Sequence, residues 1–463
     1  MNALEKLLKS NILAANRLQN DPRIEQAKQL VLSAVQDHQQ QITGIRSANP
    51  ELKLDYQQVI DFYNQARGGK LWYPYLGSGI GNGALVELLD GSVKYDFISG
   101  IGVHYWGHSH HALIEASIDA ALSDTIMQGH LQQNADSIEL TEILLLASGL
   151  DHCFLSSSGA MANENALKIA FQKNYPAYRV LAFERCFVGR TLAVSQITDK
   201  PAFREGLPHT LSVDYIPYFD STDPEGSTHR AVETLKKFIT RYPKQHAAMV
   251  MEFVQGEGGF YHGTENFFKL LIAILKENGI AVIADEVQTF GRLPYLFAFQ
   301  HFGLTHEIDI VTIGKLSQVC ATLFRKSYLP KPGLLSQTFT AATAAIRAGK
   351  IIIQSLMHDG YLGSEGKISQ IQNYFHEKLE EIAKRHPNLL KGPFGIGCMV
   401  AFTPLNGEQK TVQEFMQKLF DAGVIGFVAG SNPTRARFLV PAGAITHKDI
   451  DHVCKIIEDT LQS

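Results

Sequence analysis

The chain of 463 residues predicts an α/β fold: a mostly parallel sheet with helices on both faces in a large domain, and a smaller α+β domain built from both chain ends. Three observations carry this. The runs VLAFE (180–184), AAMVME (247–252), IAVIADE (280–286) and DIVTIG (309–314) are rich in Val and Ile and too short to be buried helices. Helix-patterned segments such as 265–278 separate them, the alternation that covers a parallel sheet on both faces. Hydrophobic residues make up 45% of the chain, which at this length fills a sizeable core.

Taken in order, the first stretch is helical by period. Leu4, Leu7, Leu8, Ile12 and Ala15 recur at three and four residues, as do Ile24, Ala27, Leu30, Val31, Ala34 and Val35, so 1–70 reads as a helical arm. The glycine-rich stretch GGKLWYPYLGSGIGNG (68–83) reads as a loop-rich connection. LVELLDGSVKYDFIS then reads as two short strands joined by a turn at Asp90-Gly91. Residues 71–111 form the first part of the smaller domain, 112–344 the large domain, and 345–463 the rest of the smaller one, closing with a helix near 447–461.

Composition excludes several classes. With 42 basic and 46 acidic side chains the formal charge is 42 − 46 = −4, which lacks the basic face of a nucleic-acid binder. No apolar run approaches the ~18–20 residues of a membrane span. The opening MNALEKLLKSN has acidic and polar residues where a secretory signal would be apolar. Cys153, Cys186, Cys320, Cys398 and Cys454 are odd in number and free of CxxC spacing, reading as free thiols in a reducing cytosol. A cytoplasmic globular protein is expected, with no nucleic acid or membrane as partner.

Four places in the large domain carry chemistry. In FLSSSGAMANENALKIA (154–170), a Ser/Gly/Ala turn opens an amphipathic helix, so backbone N–H groups and the Ser158 hydroxyl converge where phosphate binds; an ordinary capped helix is the plainer alternative. In IAVIADEVQ (280–288), Asp285 ends a buried strand and faces the crevice where such sheets bind ligands. It could hold a metal, pair with a ligand cation, or merely cap the next turn, but a nucleotide hydrolase would need a GxxxxGK[ST] loop that the sequence lacks. In DIVTIGKLS (309–317), Lys315 follows another buried strand, where desolvation and nearby cations would lower its pKa and make it nucleophilic. VMEFVQGEGGF (250–260) adds a strand ending in glycines and acids.

Together these make one chemistry. A phosphate cradle, a carboxylate and a lysine at one sheet edge are what pyridoxal phosphate requires: the lysine forms the imine, the carboxylate keeps the pyridine nitrogen protonated, and the helix end holds the phosphate.

In these motifs the sequence resembles the class III aminotransferases, the group containing ornithine, acetylornithine, 4-aminobutyrate and lysine-6 aminotransferases. The resemblance runs from about residue 76 to 458. SSGAMANENALK is similar to the family's phosphate motif, FVGRT (187–191) to its aromatic-x-Gly-Arg-Thr, and VMEFVQGEGG to its EPVQGEGG. ADEVQTFGR is similar to ADEVQTGFGR, TIGK to the cofactor-lysine motif, QTF (337–339) to a threonine segment given by the neighbouring subunit, and RFLVP (437–441) to RFxPP. The resemblance implies the aspartate-aminotransferase-like fold (fold type I) and pyridoxal 5′-phosphate as cofactor. It makes Lys315 the imine-forming lysine and proton shuttle, and pairs Asp285 with the pyridinium nitrogen. Phe187 and Val287 sandwich the ring and Gln288 meets its phenolic oxygen. Ser158, Gly159 and Ala160 hold the phosphate, with Thr338 reaching in from the partner chain, which implies a homodimer.

The resemblance also assigns Arg190 to the distal carboxylate of an ω-amino acid and Arg437 to the α-carboxylate of glutamate or 2-oxoglutarate. Glu257 would neutralise Arg437 when the ω-amino substrate is bound, because an unpaired guanidinium facing an apolar stem is costly. Arginine suits both places because it grips carboxylates bidentately. The expected reaction moves an ω-amino group from an amino acid or diamine to 2-oxoglutarate by ping-pong chemistry. The alternatives are an aminomutase, racemase or decarboxylase on the same fold, and a binding protein that has kept the fold. The departures from the family pattern at Val188, Phe253, Thr289-Phe290 and TFTAAT (338–343) are expected around the substrate opening and leave the donor unnamed. His104, His108, His110 and His111 overlay a family turn, so no metal is expected. GSGIGNGA contains a GxGxxA, but with no strand before it a dinucleotide site is not expected.

Overall fold

The computed structural model describes residues 2–123, 126–127 and 129–463. Its centre is a seven-stranded sheet in the order His152–Ser156, Cys320–Phe324, Ile310–Ile313, Ala281–Glu286, His246–Met251, Arg179–Phe183, Ser212–Ile216. The four apolar runs read from the sequence lie side by side in its middle, all parallel. Their near-continuous apolar character has a direct cause, since HAAMVM and AVIADE are buried at every position. Alternate residues go to opposite faces. Val282 and Ala284 pack with Phe267, Phe268, Leu271 and Leu275 of the Glu265–Glu277 helix. Ala281 and Ile283 pack with Ala166, Leu167 and Ala170 of the Gly159–Lys173 helix.

Cys320–Phe324 runs antiparallel to both neighbours. The chain leaves Ile313, makes a tight return through Lys315–Ser317, and comes straight back. This return uses left-handed backbone at two residues that are not glycine, Lys315 (φ 57°) and Gln318 (φ 61°), so nothing in the composition of the segment announces it.

A second sheet is a meander of Gly77–Asn82, Leu85–Leu88 and Val93–Asp96, joined in parallel by Val424–Ile425 from far along the chain. The expected turn at Asp90-Gly91 joins the last two meander strands, with Gly91 at φ 78°. Here the sequence reading needs correction: the second half of the glycine-rich stretch is the strand Gly77–Asn82, not loop. A Cβ on Gly81 would lie 2.4 Å from both the His108 Cβ and the Leu85 carbonyl oxygen, so glycine permits a close approach that propensity alone reads as loop.

A third sheet, antiparallel, orders Leu390–Phe394, Met399–Pro404, Arg435–Leu439 and Phe427–Ala429. The chain closes with the helix His447–Gln462, capped reciprocally by Thr446 and Asp449. The arm forms the helices Asn2–Leu8, Ala14–Gln19, Pro22–Gln39 and Lys53–Ala66. The third of these is tied to the body through Lys28, which is within 3.5 Å of Glu115 and 3.3 Å of Asp119. No helix among the described residues is long and apolar enough to cross a membrane.

Candidate active site

The C-terminal edge of the parallel strands opens into a cavity of about 340 Å³. Strand register places the acid: Asp285 pairs with Thr312, one step before the Ile310–Ile313 strand ends, and Lys315 follows two residues beyond that end. Asp285 and Lys315 line the cavity, with Val287 and Gln288 beside them. Gly159 and Ala160 of the helix opening line it from one side, and Phe187 and Arg190 from another.

Asp285 is buried and held by two donors. Its Oδ1 accepts from the Val287 amide at 3.0 Å and its Oδ2 from the Asn163 side chain at 2.8 Å. Burial pushes its carboxyl above the usual carboxylate range, against those hydrogen bonds and the nearby Lys315 charge. Burial likewise pulls the Lys315 amine below its ordinary value, helped by Arg292 and Arg437 and opposed by Asp285 and Glu257. The lysine is therefore closer to its nucleophilic, neutral form than a surface lysine is.

Asn163 was not singled out in the sequence, and it organises the site. Its amide nitrogen also donates to the Val188 carbonyl at 2.8 Å, and its oxygen accepts from the Thr312 hydroxyl at 2.7 Å. It thus joins the phosphate-motif helix, the FVGRT segment and two central strands to Asp285. Glu252 is a second such residue: its Oε2 accepts from the Phe187 amide at 2.8 Å and its Oε1 from the Gly256 amide at 3.1 Å. Burial and the adjacent Asp285 push its carboxyl up to about 8.

The remaining expected residues fall in three places. Arg437, with no exposed surface, donates to Glu257 Oε1 at 2.5 Å, to the Gly256 carbonyl at 3.1 Å and to Gln288 Oε1 at 3.1 Å. Gln288 thus connects the cavity to the arginine pair behind it. Ser158 accepts from the Met161 amide at 3.2 Å as the helix cap and does not line the cavity, and its hydroxyl proton has no acceptor among the described residues. Thr338 is exposed and away from its own chain's cavity. Arg190 stands exposed with its guanidinium 3.8 Å from the Phe203 ring centroid. Lys200, also not singled out, has its amine pulled down mainly by burial, with Arg437 and Arg190 adding and Glu257 opposing. Its sequence signal was only a lysine on the segment after FVGRT.

Several departures from the family pattern do not sit where the sequence suggested. Phe253 and Phe290 are fully buried, packing edge-on against Phe268 (4.9 Å) and Phe297 (5.0 Å), and Thr289 is buried against Glu286. They fill the core behind the site, since neighbours along a strand or turn point to opposite sides. Among the histidines, His108 is bonded to Asp96 at 2.9 Å and His110 stacks on Trp106.

The cavity fits pyridoxal phosphate. The amides of Gly159 and Ala160 open a helix and have no acceptor among the described residues, which suits a phosphate. A Cβ on Gly159 would stand 2.7 Å from Val287 Cγ1, so glycine is needed for the helix end to close on the ring-side valine. A buried acid and a desolvated lysine then face one space. Fold and site together define a fold-type-I enzyme dependent on pyridoxal 5′-phosphate.

The comparisons with known proteins narrow the class. The chain matches the family Aminotransferase class-III over residues 78–461, and it belongs to that family. It is therefore a transaminase. It is 29% identical over 397 residues to the acetylornithine aminotransferase of Caldanaerobacter subterraneus subsp. tengcongensis, covering 82% of this chain and 93% of that one. It is 30% identical over 380 residues to that of Methanocaldococcus jannaschii, covering 78% and 87%. Among solved structures, the taurine:2-oxoglutarate aminotransferase of Bifidobacterium kashiwanohense, in complex with PLP and glutamate, superposes with a TM-score of 0.78 over 88% of this chain and 97% of that one, at 20% identity. That likeness shows the shared fold.

Proposed function

We propose that the chain moves an ω-amino group from an amino acid or diamine to 2-oxoglutarate, giving glutamate, as a cytoplasmic homodimer. The observation that carries this is the Arg437–Glu257 pair beside Gln288. A guanidinium sealed in the protein can grip a substrate carboxylate bidentately only if its present counter-ion withdraws, and Glu257 keeps 19% of its side-chain surface exposed. That is a site able to accept a carboxylate in one half of the cycle and to hide the charge in the other. The acetylornithine aminotransferases and the taurine:2-oxoglutarate enzyme support the reading by their names, each acting on an amino donor.

The cofactor, when bound, supplies the electron sink that stabilises negative charge on the substrate carbon. The chain's own residues do the rest. Gly159, Ala160 and the Ser158 hydroxyl hold the phosphate, with Thr338 of the partner subunit. Phe187 and Val287 would flank the ring, Asp285 would keep the ring nitrogen protonated, and Gln288 would donate to the ring oxygen. Lys315 would supply the amine that holds the cofactor and, once released from it, would carry the proton to and from the substrate carbon. Arg190, exposed at the mouth, takes the donor's distal carboxylate.

The test is glutamate formation from 2-oxoglutarate across ornithine, acetylornithine, 4-aminobutyrate, lysine and small diamines. At least one donor is expected to give glutamate. Cofactor-loaded protein giving none, and giving product from an amino acid alone, would replace the acceptor assignment with an aminomutase, racemase or decarboxylase.

A further inference from the structure

Arg435 is only 5% exposed, yet no acid among the described residues pairs with it. Its guanidinium lies between two rings, 3.9 Å from the Tyr261 centroid and 3.7 Å from that of Phe394. Nη1 donates to the Gly259 carbonyl at 2.6 Å, and Nε has no partner. A charge of the same sign, Arg185, stands 5.3 Å over the same Tyr261 ring. A buried cation without a counter-ion is costly, and stacking on aromatic faces offsets only part of that.

This arginine borders a cavity of about 720 Å³ between the central sheet's edge and the third sheet. The cavity shares no lining residue with the active site. Its charges are unevenly committed. Arg230 is taken by Asp223 at 2.8 Å, and Asp220 already accepts from Thr222 through both amide and hydroxyl. Arg435, Arg185 and Lys391 have no ion pair among the described residues, three cations against the two lining carboxylates of Glu184 and Asp220. The rings hold the guanidinium in place; its Nε is buried, and Nη2, which has no hydrogen bond among the described residues, is the donor left for a ligand oxygen.

We propose that this cavity is a second ligand site, binding a small metabolite through a carboxylate or phosphate group anchored on Arg435, with Arg185 and Lys391 at its mouth. The site is independent of the amino donor and of the transfer reaction. Its own tie to the active site is the segment between the arginines, where Arg437 holds the Gly256 carbonyl and Arg435 that of Gly259.

The experiment is calorimetric titration of the cofactor-loaded enzyme at low ionic strength, once with inorganic phosphate and once with succinate, the two arms separating a phosphate from a carboxylate ligand. One site per chain is expected for at least one anion, retained in Arg437→Gln and Arg190→Gln. Arg435→Gln is expected to weaken it by about tenfold or more, as loss of a charge-assisted contact requires. Arg185→Gln, at an exposed position that leaves the core untouched, is expected to weaken it several-fold and stands in if Arg435→Gln does not fold. Binding that vanishes in Arg437→Gln, or that in the Arg437→Gln background survives both Arg435→Gln and Arg185→Gln, overturns the proposal. So does the absence of binding by either anion, which would make Arg435 a purely structural cation held by its rings.

Discussion

Arg437 and Glu257 meet at 2.5 Å with unequal freedom: the guanidinium has no exposed surface, while the carboxylate keeps 19% of its side chain in contact with solvent. The acid can leave and the arginine cannot. Glu257→Ala is therefore expected to slow the donor half-reaction by about ten- to a hundredfold, since the arginine then faces the donor's apolar stem unpaired, at about 1.4 kcal/mol per tenfold. The 2-oxoglutarate half-reaction should be unchanged or faster. Stopped-flow measurement of the two halves checks this, and an equal loss in both would contradict it.

Lys315→Ala removes the only lysine lining the cavity among the described residues. Activity is expected to fall by at least about a thousandfold, within the range for loss of a nucleophile that is also the acid–base group. Borohydride treatment followed by denaturation should retain the cofactor on the parent protein and release it from the variant. Retention by the variant would assign the anchoring amine elsewhere.

Asn163→Ala deletes one of the two donors to Asp285 and both remaining ties of the side chain. The kcat is expected to drop about tenfold, with little change in KM, because a charge-assisted hydrogen bond of about 1.5 kcal/mol orients the acid. A change confined to KM would mean that Asn163 acts on substrate instead.

Two buried carboxyls set a pH dependence. Burial, with Asp285 adjacent, pushes Glu252 up to about 8, and burial pushes Glu286 up to about 7, from an ordinary 4.5. Between pH 4.5 and these values the folded chain keeps protons that the unfolded chain has lost, so stability falls as pH rises, by up to about 1.4 kcal/mol per pH unit for each group. The Tm of cofactor-free protein is expected to decline from about pH 6 to about pH 8, and Glu252→Gln should flatten the decline. A Tm that rises across this window would refute the assignment.

Lys200 shares its surroundings with Arg190, Arg437 and Glu257. Lys200→Met is expected to raise KM several-fold for donors with a distal carboxylate and to leave KM for a plain diamine within about twofold, the scale of a partly screened charge. Equal effects on both donor types would make the lysine a packing residue.

The legible parts of this chain were those governed by burial on two sides. The four central strands announced themselves because neither face meets water, and Asp285 and Lys315 followed from where those strands end. The strand Gly77–Asn82 was hidden because Gly81 packs closely against His108, and Cys320–Phe324 because its return turn uses Lys315 and Gln318 in place of glycine. Around the site, sequence adjacency misled. Glu252 and Phe253 are neighbours, yet one braces the FVGRT segment and the other fills the core against Phe268. Asn163 was invisible for the opposite reason: its partners, Asp285, Val188 and Thr312, are far away in sequence.

The parallel pairing of Val93–Asp96 with Val424–Ile425 has a consequence for the chain as it is made. Tyr95 waits for Val424, 424 − 95 = 329 residues later. At roughly 5–20 residues per second, that is about 16 to 66 seconds during which the Tyr95–Asp96 end of that edge, beyond the Arg46 bridge at Val93, stands open. A ribosome would thus expose a sticky strand long before its natural cover emerges, and chains ending short of 424 are expected to collect in the insoluble fraction.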